Sequence, residues 1–322
     1  SEVLLARVDA AICRECPQIA KRGFRFVDDM TFYSSSAGEA YEVLARYEKL
    51  LADFELILNP TKVRVLDGLE PPEAPWVTPL RQVRYRDDND AHLVNDLVDL
   101  FSLAMDAAVR HPTEAVLSYA IKRCDPFPGG LESWPIYRDL TLASISRDAS
   151  TLRHVYPILV FAKSRGLDVG NDRLVEVLNE ACEAHATLDH GFEVAWILTI
   201  LRDLALPLDA SAAQRVASMD DNCSLVLLMD MFQLSADLRG AVDMSSAIRR
   251  AEAADALSSD DWLLAYEFRA ARWCAPKKWD DIPQWKELNT AKVRFLVSQS
   301  ATTPRSRLRR RRPAFMPSWS YP

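Results

Sequence analysis

No long hydrophobic run interrupts this chain. Although 49% of its 322 residues are hydrophobic, no stretch approaches the roughly 20 apolar residues that a membrane helix requires, and a soluble protein is expected. The first residues, SEVLLARVDAAICREC, lack the basic start, apolar centre and small-residue cleavage site of a secretory signal, so nothing points to an oxidising destination. Cysteine is scarce. Six over this length are too few for a disulfide scaffold and suit a reducing cytoplasm. Cys13 and Cys16 form a C-x-x-C, but no second Cys or His pair follows at zinc-finger spacing, and they read as two buried thiols on a helix. The five histidines, His92, His111, His154, His185 and His190, show no i, i+4 zinc spacing, which leaves a metallohydrolase with little support. A glycine-rich phosphate loop and a G-x-S-x-G elbow are both missing. So is any excess of positive charge. A net charge of −7 argues against a protein coated all over for nucleic acid, but permits a local basic groove, because screening confines each charge to about 10 Å at 0.1 M salt.

What is present falls into two patterns. In the first, Leu4, Val8, Ala11 and Ile12 recur at helical spacing and predict an amphipathic helix from Glu2 to about Ala20. Phe24 to Val27 and Met30 to Tyr33 are short strand-like runs that bracket Asp28-Asp29, which predicts a β-hairpin with the acidic pair at its tip. Ser36 and Glu39 make the S-x-x-E of a capping box, and Ala40, Leu44, Tyr47, Leu51 and Phe54 form one apolar stripe, so a helix of about four turns is expected. Glu55 to Leu58 and Lys62 to Leu66 read as two further strands parted by Asn59-Pro60-Thr61. Four strands with two helices belong to an α+β layer too small to close a core alone.

Pro71, Pro72, Pro75 and Pro79 then mark a domain boundary. From Asp87 to about Ser300 the pattern becomes a series of apolar stripes at 3.6-residue spacing. Helices are predicted near 88–110, 113–123, 135–147, 150–165, 171–186, 191–205, 222–237, 245–256, 260–273 and 285–298. Helices joined by short breaks suggest a HEAT-like stack, with an irregular bundle as the alternative, since no sequence period is evident. The tail from Ala301 carries Arg305, Arg307 and Arg309 to Arg312 without an acidic residue, and is expected to be disordered unless a polyanion orders it.

Two adjacent carboxylates at a hairpin tip repel each other, and a fold that keeps them commonly places a cation there. Magnesium fits, because it takes oxygen ligands from one or two carboxylates, with substrate phosphates and water completing the shell. Taken alone, Asp-Asp is a common polar turn. Its context is more specific. Phe26-Val27-Asp28-Asp29 resembles the aromatic-x-Asp-Asp box of reverse transcriptases, and Leu56-Ile57-Leu58-Asn59-Pro60-Thr61-Lys62 resembles their L-x-L-N-x-x-K box, one helix further on. Phe26 stands where tyrosine is common, and Val63 where threonine is common.

The resemblance implies the C-terminal part of a polymerase palm over residues 1–70, with Asp28 and Asp29 as catalytic ligands of two Mg²⁺ ions. It also implies Phe26, Asn59 and Lys62 near the incoming deoxynucleotide. A third carboxylate would come from a strand upstream of Ser1, making this chain a fragment of a longer polymerase or one half of a split one. The Trp76-x-x-x-Leu80 stretch and the helices beyond are similar to the bacterial abortive-infection and defence-associated members. That similarity implies a linker and thumb-like helices over 71–148, a helical-repeat domain over 149–300 and a basic tail over 301–322. Within the repeat region, Gly191 to Leu198 is the most similar stretch, although Trp196 and its neighbours also read simply as core. The function so implied is RNA-directed or template-independent DNA synthesis in antiphage defence. Its partners would be RNA or DNA, deoxynucleotides, the missing polymerase part and another copy of the chain. Some relatives prime on a hydroxyl of their own chain, which makes Tyr321 a candidate, though its spacing does not set it apart from Tyr119, Tyr137 or Tyr266. The rival reading is a non-catalytic helical-repeat interaction protein carrying a palm remnant.

Overall fold

Val8 and Ile12 lie one helical turn apart, and their burial fixes the first helix, α1 (Glu2–Glu15), along one side of a small core. The computed structural model describes residues 2–17, 21–66, 68, 73–86, 89–125, 127, 129–275 and 282–297. The chain divides into two compact units, Ser1–Pro75 and Trp76–Pro322. Cys16 is buried just beyond the end of α1, whereas Cys13 is exposed. The two thiols three residues apart therefore do not share the apolar face, and the expectation of two buried thiols is corrected to one.

In the first unit an antiparallel hairpin, β1 (Gly23–Phe26) and β2 (Asp29–Phe32), is followed by α2 (Ala37–Ala52). Ser36, in an extended conformation, caps α2 by accepting from the Glu39 N–H at 3.2 Å. The Glu39 carboxylate reaches back one residue further than a capping box requires, to the Ser35 hydroxyl and N–H, both at 2.6 Å, and these bonds hold its pKa below the ordinary carboxylate value. The buried face of α2 is Val43, Tyr47, Leu50 and Leu51, a slight rotation from the expected stripe. These residues meet Val8, Ile12 and Cys16, with Met30, Phe32, Leu56 and Leu58 packed against them.

The expected strands at 55–58 and 62–66 do not form; both segments are irregular. Their alternation is real, since Leu56 and Leu58 turn inward while Ile57 is 94% exposed. An extended segment becomes a strand only beside a partner with free backbone groups, and the described residues form a single two-stranded sheet. A lone hairpin of this length is marginal in water, so it depends on α1 and α2 for its stability.

Among its described residues the second unit contains α-helices and no strand: α3 (Val77–Gln82), α4 (Asp90–Arg110), α5 (Val116–Arg123), α6 (Trp134–Arg147), α7 (Leu152–Ser164), α8 (Asn171–Thr187), α9 (Gly191–Leu204), α10 (Ala210–Ala217), α11 (Asn222–Leu234), α12 (Ala236–Ala241), α13 (Ser245–Glu252), α14 (Trp262–Ala271) and α15 (Pro283–Thr290). Two rows run through it. In one, α4 packs on α6, α6 on α8, α8 on α10 and α10 on α12; in the other, α5 packs on α7, α7 on α9, α9 on α11 and α11 on α14. One continuous core extends between them from Leu80 to Phe268, so helices on both sides of residue 148 share it, and Ala256, Leu257, Ala265 and Tyr266 form a smaller cluster of their own. Arg202 is buried beside this core between Asp203 at 3.0 Å and Asp230 at 3.5 Å. Burial raises the pKa of Asp230, with Arg202 opposing the shift.

No helix among the described residues is long and apolar enough to cross a membrane. Because the second unit holds its own core, a chain of residues 76–297 is expected to fold by itself. Circular dichroism should be almost purely helical and urea unfolding cooperative; a strand-rich or unfolded spectrum would contradict this architecture.

Candidate functional site

The hairpin register pairs Gly23 with Phe32, Phe24 with Thr31, Arg25 with Met30 and Phe26 with Asp29. The loop therefore consists of Val27 and Asp28, and Asp29 belongs to the first rung of the ladder rather than to the tip. This is a one-residue correction to the expected placement of the acidic pair. Strand alternation then sorts the side chains. Arg25, Met30 and Phe32 face the core, while Phe24, Phe26, Asp29 and Thr31 face outward. A side chain at Gly23 would come within 2.8 Å of the Phe32 ring, so the rung farthest from the tip requires glycine. Phe24 and Phe26 remain 55% and 73% exposed.

Val27 holds φ at 57°, a left-handed conformation that a β-branched residue rarely accepts. Arg25 supports it. The guanidinium donates to the Val27 carbonyl, and is itself held by Asp9 at 2.9 Å and Glu2 at 3.1 Å on α1. The hydrogen bonds that Arg25 donates to Glu2 and then to Asp9 raise its pKa above its already high ordinary value. The left-handed backbone costs a residue with Cβ about 1–2 kcal/mol, and glycine's extra chain entropy costs roughly 0.5–1 kcal/mol. Val27→Gly is therefore expected to stabilise the hairpin by roughly 0.5–1 kcal/mol and slow exchange of its ladder amides about 2–5-fold. Hydrogen exchange at the Tyr33 N–H, which donates to the Arg22 carbonyl at 2.9 Å, provides the measurement.

Asn59 and Lys62 lie in a tight turn. The Asn59 side-chain oxygen accepts from the Thr61 N–H at 3.1 Å and hydroxyl at 2.7 Å, and the Lys62 N–H returns to the Asn59 carbonyl at 3.0 Å. Asp28, Asp29, Asn59 and Lys62 are all exposed. Met30, Phe32, Leu56 and Leu58 bring the roots of hairpin and turn onto one core. No hydrogen bond or ion pair among the described residues joins the acidic pair to this turn. Of the other tyrosines weighed against Tyr321, Tyr137 and Tyr266 are buried and Tyr119 packs edge-on against Trp76 at 5.5 Å. Tyr321 itself and Arg309 to Arg312 lie outside the described residues. Trp196 is half-buried against Tyr156 and Phe192, while Val194, Ile197 and Leu198 form the core beneath it.

A second constellation lies where α8 turns into α9. Asp189 takes the left-handed conformation at φ 57°, its N–H donates to the Ala186 carbonyl at 3.3 Å, and the His190 N–H donates to the His185 carbonyl at 3.0 Å. These two bonds make a Schellman motif, which sets the third-last helical position beside the second residue past the cap. Here those positions are His185 and His190, whose Nδ1 atoms stand 3.0 Å apart. Glu193, in the first turn of α9, completes a group whose ligand atoms lie within 4.8 Å of one another. Gly191 permits the turn, because a Cβ there would come within 2.5 Å of the Asp221 carboxyl carbon. The group lines a cleft of about 460 Å³, along with Arg147, Asp148 and Glu180. Burial lowers the His185 pKa below the ordinary imidazole value; Glu193 opposes the shift and His190 adds to it. The spacing of five bridges a helix end and so falls outside the i, i+4 pattern; in the sequence the group reads H-x₄-H-x₂-E across a helix break.

No family model, curated protein or solved structure matches the chain.

Proposed function

We propose that the first unit is part of the palm of a bacterial reverse-transcriptase-like DNA polymerase acting in antiphage defence, with Asp28 and Asp29 as the carboxylates of nucleotidyl transfer. The observation that carries this reading is the two-residue hairpin, which presents Asp28 in its loop and Asp29 on the adjoining rung. Neither carboxylate has a hydrogen bond or ion pair among the described residues, and both are exposed. Such a pair of uncompensated oxygen donors fits Mg²⁺. When bound, two such ions activate an attacking hydroxyl and neutralise the departing pyrophosphate. Around that chemistry, Lys62 supplies a positive charge for nucleotide phosphates, Asn59 stiffens the turn that carries it, and Phe26 offers an apolar surface to a base or sugar.

Strain at Val27 is consistent with this role, because left-handed residues tend to persist where function fixes the geometry. The outward aromatic face of the hairpin suits cover by further polypeptide or by nucleic acid. For the second unit, the alternation of helices between two rows, each touching its neighbours in the row, supports a HEAT-like repeat that follows thumb-like helices. The test combines the chain with whatever polypeptide is encoded ahead of Ser1 in the same or a neighbouring frame. Incorporation of labelled deoxynucleotides is then measured with Mg²⁺, with and without RNA template and primer. Incorporation in either format supports the polymerase; none in both overturns it and leaves the interaction-protein reading.

A further inference from the structure

The geometry of the α8–α9 turn points to a site for a late first-row divalent metal, of which zinc is the representative, held by His185, His190 and Glu193. The site is independent of the acidic hairpin and differs from it in chemistry. Two imidazoles and a carboxylate favour zinc-like ions, whereas magnesium favours oxygen donors alone.

Preorganisation is the main argument. A metal site is costly when flexible side chains must be gathered, and here the backbone has already gathered them. The Schellman bond from the His190 N–H to the His185 carbonyl fixes the two histidine backbones at 3.0 Å, and Glu193 follows in the first turn of a helix that approaches Asp221 closely at Gly191, whose carbonyl accepts from the Ser224 hydroxyl at 3.3 Å. The positions a Schellman motif sets side by side usually carry a hydrophobic contact; in this chain both are imidazoles. Their Nδ1 atoms converge at 3.0 Å. Nitrogens bound to one ion at about 2.1 Å stand about 3.0 Å apart when cis at a right angle and about 3.4 Å apart when tetrahedral, so little movement is needed in either geometry. In the hydrogen-bonded pair one ring donates and the other accepts. An ion taking both Nδ1 lone pairs shifts the donor ring's proton to its own Nε2, with no net change in protonation.

The surroundings agree. Three protein ligands leave a coordination position free, and the cleft of about 460 Å³ lies beside them, the arrangement of an open metal centre. Glu180 and Asp148 line the same cleft against Arg147, so its local charge favours a cation.

Cobalt titration of the metal-stripped full chain tests the site. One Co²⁺ per chain is expected, with visible d–d absorption, no intense near-ultraviolet thiolate band, displacement by Zn²⁺ and no displacement by a large excess of Mg²⁺. Loss of a group that only orients a metal ligand typically costs 10–100-fold in affinity, so loss of a ligand itself in His190→Ala is expected to cost about 100-fold or more, and Glu193→Gln, which keeps a weaker oxygen donor, about tenfold. His190 is exposed, so its alanine variant should keep the wild-type circular dichroism. Absence of cobalt binding, a thiolate band, or affinity unchanged in both variants would overturn the proposal.

Discussion

On the polymerase reading proposed above, Asp28→Asn and Asp29→Asn, each made in the full protein, are expected to lower deoxynucleotide incorporation by on the order of a thousandfold while the fold survives. An asparagine keeps the shape of the side chain and removes its charge. If the pair holds magnesium, that charge is what balances the ion while negative charge accumulates on the transferring phosphate. Several kcal/mol of transition-state stabilisation disappear with it, and each 1.4 kcal/mol is about tenfold in rate. The fold should be indifferent, because neither carboxylate bonds to anything among the described residues and both are exposed. Removing one of two neighbouring like charges relieves repulsion if it does anything. The measurement is single-turnover incorporation at saturating Mg²⁺, paired with urea unfolding. Near wild-type rates in both variants would remove Asp28 and Asp29 from the chemistry.

The largest stability effect should come from Glu267, in the middle of α14. Its side chain is fully buried. One carboxylate oxygen accepts from Arg294 Nε at 2.9 Å and Nη2 at 2.6 Å, and the other accepts from the Phe295 N–H at 2.6 Å and the Leu296 N–H at 3.2 Å. This single group satisfies four donors and ties the segment after α15 to the helical stack. Glu267→Ala leaves two backbone N–H groups and a half-exposed guanidinium without their acceptor, at a cost of about 3 kcal/mol. Over a unit of this size that corresponds to a fall of roughly 6–12 °C in Tm. Trp285 on α15 stacks on Trp262 with ring centroids 5.6 Å apart, so tryptophan fluorescence should change with the loss of the segment. A Tm shift under about 2 °C, with unchanged fluorescence, would show that the contacts are dispensable.

Long apolar stripes such as those of α4, α8 and α9 were legible in the sequence because each repeats over three or more turns, enough for helical periodicity to outweigh chance. Short helices were not. The eight residues of α10, ASAAQRVA, offer small side chains whose burial depends on α8 and α11, and α12 follows α11 with only Ser235 between them, so the two read as one helix. The missed strands failed for a different reason: residues 55–58 and 62–66 alternate as strands do, but alternation records which face is buried and says nothing about a ladder partner. At the hairpin, composition located the turn to within a residue. The register was set by Val27 entering the left-handed region, which a β-branched residue gives no reason to expect. Glu267 was hidden because its meaning depends on Arg294, Phe295 and Leu296 brought to it by the fold, and the His185–His190 pair because its local pattern gains meaning only from the helix break between them.

Two rows in which each helix leans on the next of its own row have a consequence for how such a chain can vary. If the stack is the HEAT-like repeat proposed above, removing or adding one adjacent pair, one helix from each row, would leave the remaining interfaces of the same kind, because each helix of a repeat depends chiefly on its immediate neighbours. Length along the stack would then be adjustable in whole steps, while Glu267 and its four donors hold the segment after α15 to the last helix of one row. On that reading the number of helix pairs would fix how far one end of the described stack stands from the other, and engineered variants would differ in reach by increments of a pair.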